Sequence, residues 1–207
     1  MTRTIRILLA IAASILTIDN ATADWQPLGP DGGVVTDLWI DLTNNDRSMA
    51  TSRYNGLFES KNGGASFNRI DSSPVTVFDA KQIARARRLI SSPNNPQQLF
   101  LATGNGFRSG SVFRSDDGGV SWQAINDGLE VVGGIAEVYD LAFSHDGVVL
   151  YAATWAGWFA SFDQSTWVHL TFPDSSRSTL VATSPTEASR VYGTKVVGGL
   201  YRSDDSG

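Results

Sequence analysis

Two aspartates, Asp37 and Asp140, occupy the same place in two copies of one repeating pattern, and Arg87 and Thr179 occupy that place in two further copies. A pair of carboxylates held about 5 to 9 Å apart can perform acid/base work on a glycosidic bond. The same two carboxylates and one guanidinium can equally form an ion-pair network that plugs a channel, and both readings stand at this point. Arg53, Tyr54 and Trp155 fall in turns that the pattern sets beside these residues. An arginine, a tyrosine and a tryptophan are groups that stack on or hydrogen-bond to a sugar ring, so these three, with Arg87, are the candidate ligand-binding residues. Trp155 and Trp158 together could offer a stacking platform for sugar rings, although tryptophan at a junction between sheets is more often packing.

A second set of carboxylates reads differently. In Ser115-Asp116-Asp117-Gly118-Gly119-Val120-Ser121-Trp122 the Asp117 carboxylate can turn back onto backbone N–H groups of its own turn, and Ser115 can add a hydroxyl bond. The glycines can take the positive φ that other residues resist. Trp122 then begins the returning strand and seals it. Echoes run through Ser60, Asn62, Gly64 and Phe67, through a degenerate Ser161, Asp163 and Trp167, and through Ser203, Asp205 and Gly207. The spacing makes each a hairpin lock, and it assigns Asp117, Asp163 and Asp205 a structural duty and no catalytic one.

The elements that must carry these residues follow from the repeats. Four segments superpose: Asp37 to Thr51, Arg87 to Thr103, Asp140 to Thr154 and Thr179 to Thr194. Each is a short apolar strand, a polar turn and a second apolar strand ending in a small residue and threonine. A glycine-bearing turn, a third strand, the lock and a fourth strand complete the unit. Four antiparallel strands recurring every 40 to 50 residues or so is the period of a propeller blade, so the predicted fold is all-β. The units run approximately over 24–70, 71–125, 126–170 and 171–207, with an insertion from Asp71 to Gln82 and a strand at Trp25 ahead of the first. Residues Asp79 to Arg88 fit either a helix or a strand.

The locks, in register with the strand grammar over nearly the whole chain after residue 23, resemble the Asp-box, or bacterial neuraminidase repeat, proteins. That resemblance implies an exported β-propeller, of the group that includes sialidases, xyloglucanase-type glycosidases and sortilin-type receptors. The sialidases use an arginine triad drawn from different blades and an Arg-Ile-Pro motif near the N-terminus, which is absent here; Arg85, Arg87 and Arg88 come from one strand and cannot all face one carboxylate. The xyloglucanases place a catalytic aspartate in the second turn of the first blade, where this chain has Arg53-Tyr54-Asn55-Gly56. A binding scaffold for protein or carbohydrate is therefore expected, with the N-terminal part of a glycoside hydrolase, or a nonfunctional remnant, as the alternatives.

Composition narrows the partners. The 207 residues carry a net charge of −5, so nucleic acid is not an expected partner. With no cysteine there is no disulfide or thiolate site. His145 and His169 lack ligand-spaced companions, and no glycine-rich loop leads from a strand into a helix, so neither metal nor cofactor is expected. Arg3 and Arg6, the apolar run from Ile7 to Ile18, and Ala21-Thr22-Ala23 before Asp24 read as a signal peptide over 1–23, which implies a secreted or periplasmic protein with no membrane span after cleavage. An uncleaved anchor shares that apolar core but is shorter than the roughly 20 residues a span needs. The residues supply three units and most of a fourth, whereas propellers use about four to eight blades. The expectation is a longer propeller with further C-terminal blades, the alternative being four blades closed by the Trp25 strand.

Overall fold

A computed structural model describes residues 27–30, 34–53, 55–71, 85–104, 110–131, 134–171 and 177–207. The expected signal peptide, Trp25, Tyr54 and most of the 71–82 insertion lie outside them. The first sheet is β1 (Val35–Ile40), β2 (Ser48–Ser52), β3 (Gly56–Ser60) and β4 (Asn68–Arg69). The second is β5 (Arg85–Ser92), β6 (Asn95–Gly104), β7 (Gly110–Ser115) and β8 (Gln123–Ala124). A small hairpin, β9 (Glu130–Val131) and β10 (Gly134–Ile135), leads into the third: β11 (Val138–Phe143), β12 (Leu150–Thr154), β13 (Gly157–Ser161) and β14 (Val168–His169). The fourth holds β15 (Ser178–Thr183), β16 (Val191–Lys195) and β17 (Gly199–Ser203). Every sheet is an antiparallel meander in sequence order.

The first strand of each sheet lies against the first strand of the next, β1 on β5, β5 on β11 and β11 on β15. That arrangement is a β-propeller, and it is open, since among the described residues the first and fourth sheets do not pair. Residues 85–88, which the sequence leaves between helix and strand, are the start of β5.

Apolar side chains gather in the gaps between sheets. Trp39, Met49, Leu57, Leu89, Leu99 and Leu101 fill the first gap. Phe100, Val112, Leu141, Leu150, Phe159 and Trp167 fill the second, and Tyr151, Trp158, Val181 and Val191 the third. Position in the array sets the burial pattern. The third sheet is covered on both faces, so every residue of β12 and β13 is buried. The outer flanks are not covered: Leu38 and Ile40 of β1, and Leu180 and Leu200 of the fourth sheet, are exposed.

The locks stand at matching corners, each with the serine hydroxyl bonded to the side chain two residues on and accepting a backbone N–H from further round the turn. Ser60 Oγ donates to Asn62 Oδ1 at 2.9 Å and accepts from Gly64 N–H at 2.9 Å. Ser115 repeats this with Asp117 and Gly119, both at 2.7 Å, and Ser203 with Asp205 at 2.5 Å and Gly207 at 2.9 Å. In the third sheet the turn is one residue shorter. There Gln164 alone takes a positive φ of 57°, where Gly63 with Gly64, and Gly118 with Gly119, supply two such residues. Bonds from Thr166 N–H and Oγ1 to Asp163, both at 2.7 Å, hold the shortened turn. Phe67 is partly exposed; Trp122 packs at the edge of the first gap and Trp167 is buried in the second.

Candidate functional site

Each inner strand carries a one-residue register shift at the same point. Opposite its partner strand, the pairing skips from Val35 to Asp37, from Ala86 to Arg88, from Val138 to Asp140 and from Ser178 to Leu180. A bulge turns the next side chain to the other face and re-aims it. The equivalent residues are therefore Asp37, Arg88, Asp140 and Leu180, and the bulged ones are Thr36, Arg87, Tyr139 and Thr179. The sequence alignment set Arg87 and Thr179 with the two aspartates; the bulges move both by one.

Asp37 and Asp140 are brought together through Arg88. Its Nη1 lies 3.4 Å from Asp37 Oδ1 and its Nε 3.2 Å from Asp140 Oδ1. Each aspartate also reaches the following sheet. Asp37 Oδ2 accepts the Leu89 N–H at 2.8 Å, and Asp140 Oδ2 accepts the Val181 N–H at 3.1 Å, while Asp140 Oδ1 takes the Leu141 N–H at 3.0 Å. Burial raises the Asp140 carboxyl above the usual carboxylate range, against the lowering effect of the Val181 bond and of Arg88. Neither carboxylate has an uncommitted oxygen, and the arrangement joins sheets.

Arg87 belongs to a second cluster at the same end of the array. Its Nη2 is bonded to Oε1 of the buried Glu137, and Tyr139 donates its hydroxyl to Glu137 Oε2 at 2.9 Å. The Glu137 side chain lies over Gly104, where a Cβ would collide with it. The Tyr139 ring is flanked by two guanidinium groups, Arg87 at 4.8 Å and Arg177 at 4.5 Å from its centroid, and Arg177 also covers Trp155 at 5.5 Å. Burial, with the Glu137 hydrogen bond and charge, pushes the Tyr139 hydroxyl up to about 12. The result is a partly exposed shelf of alternating rings and cations beside the axis. Arg53, whose N–H donates to Val34 O at 2.9 Å, stands at the equivalent turn of the first sheet, and Tyr54 lies outside the described residues.

Sequence reading missed Glu137, Tyr139, Arg88 and Arg177. One signal for two of them was present: Arg85, Glu137 and Arg177 each stand two residues before a bulged position, as the blade alignment would reveal once the bulge is known. Trp158 is buried in the third gap with its Nε1–H directed at Leu180 O, 3.3 Å away, and is packing. A groove of about 510 Å³ lies near the locks of the first two sheets, away from this shelf, and its charged groups Arg47, Asp41, Glu59 and Lys61 pair among themselves. Among the described residues no group of three or more potential metal ligands occurs, and no helix is long and apolar enough to cross a membrane.

No protein-family model matches the chain, and no curated protein sequence resembles it significantly. Solved structures do. The GH74 xyloglucanase from Xanthomonas campestris is similar at 16% identity over 84% of this chain and 29% of that one, with a TM-score of 0.65. The extracellular domain of a B. thetaiotaomicron one component system is 16% identical over 82% of this chain and 21% of that one, TM-score 0.57. The β-propeller domain of Myceliophteria thermophila Cps50 is 12% identical over 82% of this chain and 50% of that one, TM-score 0.57. The class is thus a β-propeller, and the chain spans half or less of the length of each of these structures.

Proposed function

We propose that the chain is part of an exported Asp-box propeller that binds a protein or a glycan at the shelf formed by Arg87, Tyr139, Arg177 and Trp155, without hydrolysing it. The fastened turns at Asn62, Asp117, Asp163 and Asp205 are, on this reading, Asp-boxes that hold hairpins. The observation that supports the absence of hydrolysis is that each carboxylate oxygen of Asp37 and Asp140 is already held by a backbone N–H group or Arg88 in a contact that joins sheets. A general acid or base must instead be within reach of substrate with a lone pair or proton to exchange. The extracellular domain among the similar structures supports an external location.

A second reading, part of a glycoside hydrolase, is favoured by the likeness to a xyloglucanase. One experiment separates them. The protein and its Asp37→Asn and Asp140→Asn variants are incubated with a panel of polysaccharides, and reducing ends and binding are both measured. The scaffold reading expects retention on at least one glycan or protein ligand with no new reducing ends from any of the three proteins. Hydrolysis by the unaltered protein that both variants lose would overturn it in favour of the enzyme.

A further inference from the structure

One lock differs from the others in its chemistry. Asp117, Asp163 and Asp205 fasten the second, third and fourth, whereas Asn62 fastens the first, and Gly63 follows it. Asparagine before glycine is the sequence that loses its side-chain amide most readily, because no Cβ shields the next backbone nitrogen. The Gly63 nitrogen attacks Asn62 Cγ, gives up its proton and closes a cyclic imide as ammonia leaves with Nδ2. Water then opens the ring. Cleavage of the bond to Cγ yields aspartate, and cleavage at the main-chain carbonyl yields isoaspartate, whose backbone is longer by a methylene. The net change consumes water and releases ammonia, with no oxidant, metal or enzyme. Asn62, Gly63 and Ser66 are exposed, so water and hydroxide reach the turn.

The closed turn opposes the attack and suits one product. The Gly63 N–H is already donated to the Asp46 backbone carbonyl at 2.9 Å. The amide is held as well: Asn62 Oδ1 accepts from Ser60 Oγ at 2.9 Å and from the Ser66 N–H at 3.0 Å, while Nδ2 donates to Ser66 Oγ at 2.9 Å. The imide therefore forms only from a locally opened turn. An aspartate at this place meets the donors that Asp117 meets. There Oδ1 accepts from Ser115 Oγ at 2.7 Å and from the Ser121 N–H at 2.9 Å, and Oδ2 accepts from Ser121 Oγ at 2.6 Å. Only the Ser66 hydroxyl has to turn, from accepting an amide proton to donating its own, and the bonds become charge-assisted. In isoaspartate the added methylene shifts the carboxylate relative to Gly63, so Ser60 and Asp46 cannot both be met. That product leaves the lock open and able to form the imide again.

We propose that Asn62 is a site of spontaneous modification: its amide is lost from the opened turn, and the lock closes again on aspartate alone, so that with age the first lock acquires the carboxylate of the others. The fold selects the product, since an unstructured chain gives chiefly isoaspartate.

The protein and a synthetic peptide of residues 59–67, Glu-Ser-Lys-Asn-Gly-Gly-Ala-Ser-Phe, are aged side by side in mildly alkaline buffer, and residue 62 is read by peptide mapping against aspartyl and isoaspartyl standards. The amide should leave the protein about tenfold more slowly than the peptide, as the hydrogen bonds broken on opening dictate. Aspartate should be in excess in the protein and isoaspartate in the peptide. Ser66→Ala, which takes the hydroxyl out of the turn, should move the protein toward the peptide's rate and product ratio. Asp117 in the same setting is held down to about 2, so the aged protein, like Asn62→Asp, should lose stability more steeply than the parent as pH falls through the acid range. An amide still intact in the protein long after the peptide has converted completely, a rate equal to the peptide's, or an isoaspartate excess in both would each overturn the proposal. Should Ser66→Ala fail to fold, the comparison of protein with peptide still decides.

Discussion

Asp37 and Leu89 are joined by a single 2.8 Å hydrogen bond from the Leu89 backbone N–H to Oδ2, across a sequence separation of 52 residues, and Asp140 makes the same bond to Val181 across 41. The bond leaves one sheet and ends on the inner strand of the next, so it holds the angle between them at the axis. Where the second sheet has Arg88 in place of an acid, Asp140 satisfies the neighbouring Leu141 N–H itself and takes the arginine as partner. The charge order Asp, Arg, Asp along the axis follows from that substitution.

Removing either acceptor should cost stability. Asp37→Ala or Asp140→Ala leaves a part-buried N–H without its bond, and a loss of about 1 to 3 kcal/mol is expected, with the asparagine variants losing less because one carbonyl oxygen remains. Urea denaturation of the four variants checks this.

Arg88→Met should make stability depend on pH with a definite sign. The Asp140 carboxyl is already raised by burial, and loss of the Arg88 charge raises it further. A folded-state acid raised above its unfolded value favours the protonated form. The variant should therefore weaken, relative to the parent, as pH rises from acid to neutral. Equilibrium unfolding at a series of pH values is the measurement.

The locks should fail in acid. Hydrogen bonds from Ser121 and Ser115 hold Asp117 down to about 2 from 3.8, and those from Thr166, with lesser help from Ser165 and Ser161, do the same for Asp163. For carboxylates depressed in this way the stabilisation is complete above about 4 and is lost as pH falls toward 2. Asp117→Asn should flatten that loss, as seen in thermal unfolding between those limits, and Asn62 shows that the turn accepts the amide.

Tyr139 should ionise late. With its hydroxyl at about 12, unfolded chains lose the proton near 10 while folded ones retain it, so stability should fall as pH rises across that interval. Ultraviolet titration of the parent against Tyr139→Phe isolates the late phase.

Gly128 takes φ of 87°, and a Cβ there would strike the Trp167 carbonyl oxygen, beside the Asp127–Thr166 bridge that ties the second sheet to the third. Gly128→Ala combines left-handed strain of about 1 to 3 kcal/mol with a backbone collision. A fall in melting temperature larger than that of Gly134→Ala, whose Cβ would meet nothing, is expected.

The sheets were legible in the sequence because their evidence is local and repeated: a serine, an acid or amide two residues on, and a ring closing the turn at Phe67, Trp122 and Trp167. The shelf was not. Whether Arg87 or Arg88 faces Asp140 turns on a bulge, and a one-residue shift leaves no mark in composition or period. Glu137 follows a two-strand hairpin, Glu130 to Ile135, too short to carry an alternation signal. Its partners Arg87 and Tyr139 come from different sheets, so their meeting is visible only once the sheets are stacked.

The three apolar clusters lie one to a junction, and none links sheets that are not neighbours. Cooperativity in such a molecule passes from each unit to the adjacent ones, like dominoes of unequal weight. The second and third sheets, each packed on both sides, should exchange their amides last, and the first and fourth first. Each unit is also, physically, something that could be copied or lost one at a time while the surviving junctions keep their chemistry.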